Sequence, residues 1–255
     1  VAPGETLEGL AAQPRILRHV RRERGAFDGR FFERHRELWP IARAASCFAD
    51  RADWPDVAEY GAAFDHGGDP TLDAPVRFEP APARRRRPPG PIARADLYDA
   101  MIVQRRVVPT RPRMWHDYLN ALVWATFPRS KLAFHERQHA AIERWIPEGA
   151  TQLPNARTRE LDALALVDEG GVLVIVDGER RIDMVFGHAL FEGLVLGQAA
   201  MIARAVVLDA PGALAGSPSD VELTRRVDRV FPEVLRDGRR LIAPEELPRR
   251  PLLGA

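Results

Sequence analysis

Residues 134–140 read FHERQHA, and within them His135-Glu136-Arg137-Gln138-His139 reproduces the H-E-x-x-H pattern of a zinc metalloprotease helix. In such a helix two histidines at i and i+4 share one face and bind zinc, while the glutamate between them polarises a water. The surroundings fit that chemistry poorly. The residue after His-Glu normally packs into the core, and here it is the charged Arg137, followed by polar Gln138. A third ligand could be sought at Glu160, but Pro147 and Pro154 intervene, so no continuous helix leads there. A true zinc protease of this type is not expected.

Three other pairings carry more weight. His116 with Asn120, His139 with Glu143 and His188 with Glu192 each stand at i, i+4 on otherwise apolar segments. The most telling is His188 with Glu192 in VFGHALFEGLVLG. A histidine and a glutamate facing together inside that much apolar sequence must meet partners or suffer desolvation. Asp162, in RELDALALVDE, interrupts what reads as an apolar strand, and Asp168 and Glu169 fall at a turn-like DEGG. Asp117 follows His116, and adjacent helix positions point apart, so its plainer role is support at a helix start. No G-x-S-x-G, G-x-G-x-x-G or P-loop occurs.

These residues need elements to hold them. The first third reads as helical: one segment reaches Val20 and is broken at Pro14, and a second runs from about Asp28 to Phe48 with a kink or break at Pro40. A third helix starts near Asp53 as N-cap with Pro55 in its first turn. Residues 65–92 form a Pro/Gly/Arg-rich irregular segment with one short strand candidate, Val76 to Glu79, and the run Arg84 to Arg87, read as a solvated loop. A helix from Arg94 to about Arg105 then delivers the chain to an extended piece. Trp115, Leu119, Leu122, Val123 and Phe127 follow at helical spacing, Pro128 ends that helix, and Ser130 to Trp145 returns as the second arm of a helical hairpin. Two apolar runs around DEGG suggest a β-hairpin. IDMVFGHALFEGLVLG reads as helix, ARAVVLD as strand, and a last helix is capped by Ser219 and Glu222. The expectation is an α+β fold over residues 1–255: a mostly helical N-terminal half, a central helical hairpin, and a small, mostly antiparallel sheet in the C-terminal half, with the chemistry in a core from 93 to 255.

Composition bounds the rest. The chain of 255 residues has 45% hydrophobic and 29% charged residues and a formal net charge of +1, so no overall field holds it on nucleic acid or an anionic membrane. Lys131 is the sole lysine. Cys47, the sole cysteine, excludes an intramolecular disulfide and a Cys-based zinc cluster. The apolar stretch from Met184 to Leu208 carries His188, Glu192 and Arg204, each costly at a bilayer centre, and is read as a buried helix and strand. The N-terminus lacks the layout of a signal peptide, and a cytoplasmic location is expected.

The stretch YDAMIVQRRVVPTRPRMWHDYLNALVWATFPRSK, residues 98–131, resembles the DUF3025 family, bacterial proteins of unknown function. Its centre reads as a tyrosine-led helix, a V-P-T-R approach, then W-H-D-x-x-N-A-L-x-W-x-x-F-P-x-x-K and a later histidine. The similarity resumes at RELDALALVDEGG and FGHALFE, and RRPLLGA is similar to a family ending. The resemblance implies that His116, Asp117, Asn120, Lys131, His139, Asp162, Asp168, Glu169, His188 and Glu192 match the family's polar motif positions. His135 does not, which makes HERQH a coincidence built around His139. Ala165 stands where the family has threonine, and Leu161-Asp162 where it has Arg-Asp.

Taken together, the sequence reading expects a site on the helical hairpin and the FGHALFE helix. His116, His139 and His188 are the candidate metal ligands, and Asp117, Glu192, Asp162 and Lys131 the candidate catalytic groups. Imidazole and carboxylate without thiolate suit a divalent metal such as zinc, manganese, iron or nickel, and metal-assisted hydrolysis of a small molecule or peptide. The alternative is a binding or scaffold module whose His/Glu pairs are buried networks.

Overall fold

The computed structural model describes residues 36–51, 53–69, 72–82, 90–154, 156–198 and 200–253. The helix broken at Pro14, the part of the second helix before Arg36, and the Arg84–Arg87 run lie outside the described residues. After a 3-10 turn at Arg36–Leu38, α1 (Trp39–Ser46) begins at the proline expected to kink it. Proline has no N–H to lose in a first turn, so Pro40 starts the helix. The third helical segment begins later than the sequence suggests. Glu59 accepts the Asp56 backbone N–H at 2.8 Å, and a 3-10 helix (Val57–Ala62) runs into α2 (Ala63–Gly67). Asp53 instead accepts the backbone N–H of Trp54.

The short strand β1 (Arg77–Pro80) pairs in parallel with β2 (Val107–Thr110), and α3 (Tyr98–Arg105) precedes β2. The helical hairpin forms as expected: α4 (Trp115–Thr126) and α5 (Pro128–Trp145) meet at Phe127, with Pro128 opening α5. Every residue of α4 from Tyr118 to Thr126 is buried, so this helix is the centre of the molecule.

The hairpin read around DEGG is overturned. Arg159–Gly170 is a helix, α6, so Asp162 and Asp168 are helical. Leu161, Leu164 and Val167 bury one face at a spacing of three, and Thr158 caps the start by accepting the Leu161 N–H at 3.2 Å. The true hairpin lies one element on, between β3 (Gly171–Asp177) and β4 (Arg180–Val185). Gly178 takes φ +62° at the first central position of its two-residue turn. The segment read as one helix from Ile182 is thus strand β4 followed by α7 (His188–Val195).

The sheet continues with β5 (Met201–Asp209), parallel to β3, and ends at β6 (Arg249–Leu253), giving the order β4-β3-β5-β6 with two antiparallel pairings and one parallel. Before β6, α8 (Asp220–Arg236) starts at Ser219, whose hydroxyl accepts the Glu222 N–H as anticipated. The architecture is α+β, with helices packed on a small, mostly antiparallel sheet. One apolar cluster runs from Leu38 through α4 to the strands and α8. Among the described residues no helix is long and apolar enough to cross a membrane.

Candidate functional site: a histidine-lined cavity

A cavity of about 360 Å³ opens where β2, α3, α4, α5, α6 and α7 converge. Its polar wall comes from short sequence pieces, each with a local reason for its placement. The WHD start of α4 supplies His116 and Asp117, and Asn120 follows one turn on. β2 ends at Thr110, and Arg111 turns back onto α4. The Arg111 backbone N–H donates to Asp117 Oδ2 at 2.6 Å and its guanidinium donates to Oδ1 at 2.5 Å.

His188 is positioned by the glycine before it. A Cβ on Gly187 would stand 2.4 Å from the Gly171 nitrogen and 2.5 Å from the Glu169 carbonyl oxygen, so only glycine lets α7 start this close to the α6–β3 junction. The Gly187 N–H donates to the Gly171 carbonyl at 2.9 Å. His188 is thereby laid across the cavity floor, its Nδ1 3.8 Å from Asp168 Oδ1 and its Nε2 3.0 Å from His116 Nε2. The two imidazole planes stand at 89°. On the far side, His116 Nδ1 lies 3.2 Å from Asp117 Oδ1.

The result is a chain of His188, His116 and Asp117, with the two rings touching through their ε nitrogens and the Asp168 carboxylate standing behind His188 without a hydrogen bond to it. Proton arithmetic then decides its character. Two hydrogen bonds join His188, His116 and Asp117, and two neutral imidazoles carry the two N–H protons these need. His116 Nδ1–H then faces Asp117, His188 Nε2–H donates to His116 Nε2, and His188 Nδ1 has no hydrogen-bond partner among the described residues.

Electrostatics set the charges around these rings. Burial drives the His188 pKa down to about 3, against the partial support of Asp168, so this ring is neutral. His116 is the accessible ring, its side chain 33% exposed. Burial disfavours the Asp117 carboxylate, but the hydrogen bonds from His116 and Arg111 prevail and bring its pKa to about 2. Asp168 is also buried, yet the Lys131 ammonium holds it well below the usual carboxylate range. Lys131 is fully buried, ion-paired to Asp168 and set 5.6 Å from the Trp124 ring centroid. The sole lysine is thus a fixed counter-charge behind the site.

A second histidine arrangement forms the adjoining wall. His135 Nδ1 meets Asp99 Oδ1 at 2.8 Å, its ring stacked on Trp124 at 5.3 Å with a 4° interplanar angle. Asn120 donates from Nδ2 to the Tyr98 hydroxyl at 3.4 Å. Burial and the charges of Asp168, Asp99 and Asp117 raise the Tyr98 pKa, so its phenol stays protonated.

The structure thus unites His116, Asp117 and His188, with Lys131 one contact behind. His139 does not line the cavity; it faces Gln104 at 3.3 Å and Glu143 at 3.6 Å. Asp162 lines a larger neighbouring cavity of about 870 Å³, which shares Arg157, Ala165 and Glu169 with the first. Glu192 is half-buried on α7, and its charge acts on Arg111. Among the described residues no group of three or more His, Cys, Asp or Glu side chains is gathered to hold a metal ion.

Sequence reading set His135 aside as a coincidence of the HERQH pattern and did not name Tyr98, Asp99 or Arg111 as site residues. Asp99 had a signal, a carboxylate in the apolar helix YDAMIV beside the buried Ala100 and Ile102. Arg111 had none, since its role depends on how β2 returns to α4.

The chain is therefore an α+β protein built around a buried His/Asp cavity. Residues 90–183 match the family described as "Protein of unknown function (DUF3025)", and the resemblance read from the sequence stands over that stretch. The match spans α3 to β4 and includes every cavity residue named above except His188, which lies just beyond it. No curated protein and no solved structure matches the chain.

Proposed function

We propose that the cavity is an acid–base site for hydrolysis of a small polar substrate, with His116 as the proton-transfer group. The observation that carries this reading is the 3.0 Å contact between the ε nitrogens of His116 and His188, flanked by carboxylates and open to a cavity. A proton taken up by His116 is shared with the neutral His188 through Nε2 and held by Asp117 through Nδ1, so the imidazolium is stabilised at both ends. In hydrolysis, a water oxygen bonds to the electrophilic centre of the substrate while its proton passes to His116. That proton then goes to the leaving group as its bond breaks. Arg111 fixes Asp117, which fixes the His116 tautomer, and His188 acts as a positioning residue.

A screen of small esters, amides and phosphoesters against the parent, His116→Ala and His188→Gln tests the reading. Removal of His116 should lower turnover about 10²- to 10⁴-fold. Activity that survives in His116→Ala would overturn it.

One observation favours a second reading, in which a divalent metal such as zinc, manganese, iron or nickel is held between the rings. Both imidazoles turn Nε2 inward and Nδ1 toward a carboxylate, the outer-shell pattern of metal-binding histidines. Two protein ligands would leave the other positions to water or substrate. Elemental analysis of tag-free protein beside His188→Gln separates the readings: stoichiometric metal, lost in the variant, favours the metal.

A further inference from the structure

Beside His188 Nδ1, two polar atoms on the adjoining wall of this cavity face no partner among the described residues. Asn120 Oδ1 and His135 Nε2 are buried and accept no hydrogen bond within the described residues, and both residues line the cavity. Their chemistry is the same. Asn120 spends its Nδ2 on Tyr98, which leaves the carbonyl oxygen as the free end. His135 turns Nδ1 to the Asp99 carboxylate, so in the neutral ring the proton sits there and Nε2 offers its lone pair. A buried acceptor without a donor costs about 1–3 kcal/mol, so the wall is built to be met by N–H or O–H groups.

Charge narrows the class. Four carboxylates line the cavity, Asp99, Asp117, Asp168 and Glu169, against the guanidinium groups of Arg111 and Arg157. Arg111 is spent on Asp117, and the Lys131 ammonium on Asp168 from behind. Asp99 meets only a neutral-capable imidazole, Glu169 meets no cation among the described residues, and Arg157 sits exposed where the two cavities join. The Tyr98 phenol senses the same negative field.

We infer that the cavity binds a cationic nitrogen group carrying several N–H donors, a primary ammonium or a guanidinium, with Asn120 Oδ1 and His135 Nε2 as its acceptors and Glu169 as its counter-charge. This rests on the hydrolytic reading only for the cavity being the substrate site. Binding stands or falls without turnover.

The test uses the full chain, with methylguanidinium and methylammonium as cationic probes and acetamide as a neutral one. Saturable shifts of histidine ring and Asn side-chain resonances in ¹H–¹⁵N spectra report binding. One or both cationic probes should bind, and acetamide at least tenfold more weakly. Asn120→Asp, which turns the free acceptor into a charged one, should tighten cation binding about tenfold, since charge-assisted hydrogen bonds are about twice as strong. Glu169→Gln, an exposed change that leaves the core intact, should weaken it severalfold. His116→Ala should retain probe binding, so loss of activity there separates failure of catalysis from failure of this site. Absence of saturable cation binding, acetamide bound as well as the cations, or cation affinity unmoved by both Asn120→Asp and Glu169→Gln overturns the inference.

Discussion

Asp228 offers the sharpest test of how the scaffold holds the site. It lies on α8, 2% exposed, and reaches the start of α5, where Phe127 provides no side-chain cap. Its Oδ1 accepts the Ser130 N–H at 2.8 Å and its Oδ2 the Arg129 N–H at 3.1 Å. One element thus caps the next, and the capped turn carries Lys131. Burial raises the Asp228 pKa from 3.8 to about 7, in spite of the opposing amide donors and the nearby Arg129 charge. The folded state therefore binds this proton more tightly than the unfolded chain. Its stabilising contribution is complete below pH 3.8 and is lost as pH rises to about 7. At about 1.36 kcal/mol per pH unit, that interval is worth about 4 kcal/mol as a ceiling. Other groups titrate in the same window, so the quantity to follow is the difference between parent and Asp228→Asn. Asparagine cannot ionise and keeps one acceptor for the Ser130 N–H. Urea unfolding followed by tryptophan fluorescence from pH 4 to 8 should show the variant gaining about 2–4 kcal/mol relative to the parent as pH rises. A difference that stays constant would refute the reasoning, because the carboxylate would then be ionised throughout and the α5 N-terminus would outweigh burial.

Lys131→Met should cost about 3–5 kcal/mol in urea unfolding, because Asp168 is left buried without its ammonium. Adding Asp168→Asn should recover most of that loss, and an additive double variant would remove the pair from the account. The His188 ring should stay neutral as pH falls from 6.5 to about 3, visible in its ¹⁵N ring shifts. Because its folded pKa is lowered, the associated stability is present above 6.5 and is lost on acidification through that range; a ring that protonates near 6.5 would contradict the burial argument. Gly187→Ala should destabilise by more than about 2 kcal/mol and break the His116–His188 contact, since its Cβ would meet backbone atoms at 2.4–2.6 Å. Unchanged imidazole shifts in that variant would show that the close approach is dispensable.

Periodicity made some of the architecture legible. The α4–α5 hairpin follows from an apolar stripe and a proline, and the Ser219 cap from its spacing to Glu222. The error at α6 has a definite cause. LDALALV satisfies both an alternating pattern and a spacing of three, and the Thr158 cap that settles the matter is an unremarkable residue three positions before Leu161. Site legibility divides the same way. His116 and His188 stood out as polar residues in apolar helices, and they do meet. His139 stood out for the same reason, yet its helix face turns toward Gln104 on α3, because side-chain direction within a bundle depends on which neighbour each face meets.

The HERQH segment shows what its spacing achieves in place of a zinc site. Residues at i and i+4 do share a face of α5, and that face is laid against α3: His135 engages Asp99, and His139 approaches Gln104. Arg137, the charge that argued against a protease helix, is buried and donates to the carbonyl oxygens of Leu235 at 3.0 Å and Arg240 at 2.6 Å, tying down the end of α8. Glu160, the imagined third ligand, is taken up by Arg137 at 2.9 Å and Arg144 at 3.0 Å. Each polar residue that a zinc helix would direct at one ion is here directed at a different element. His135 and Gln138 also line the cavity, His135 with the nitrogen that faces away from Asp99. A short motif fixes which side chains share a face. The packing around it decides whether that face becomes a coordination site, a set of tertiary pins, or, at one nitrogen, part of a binding wall.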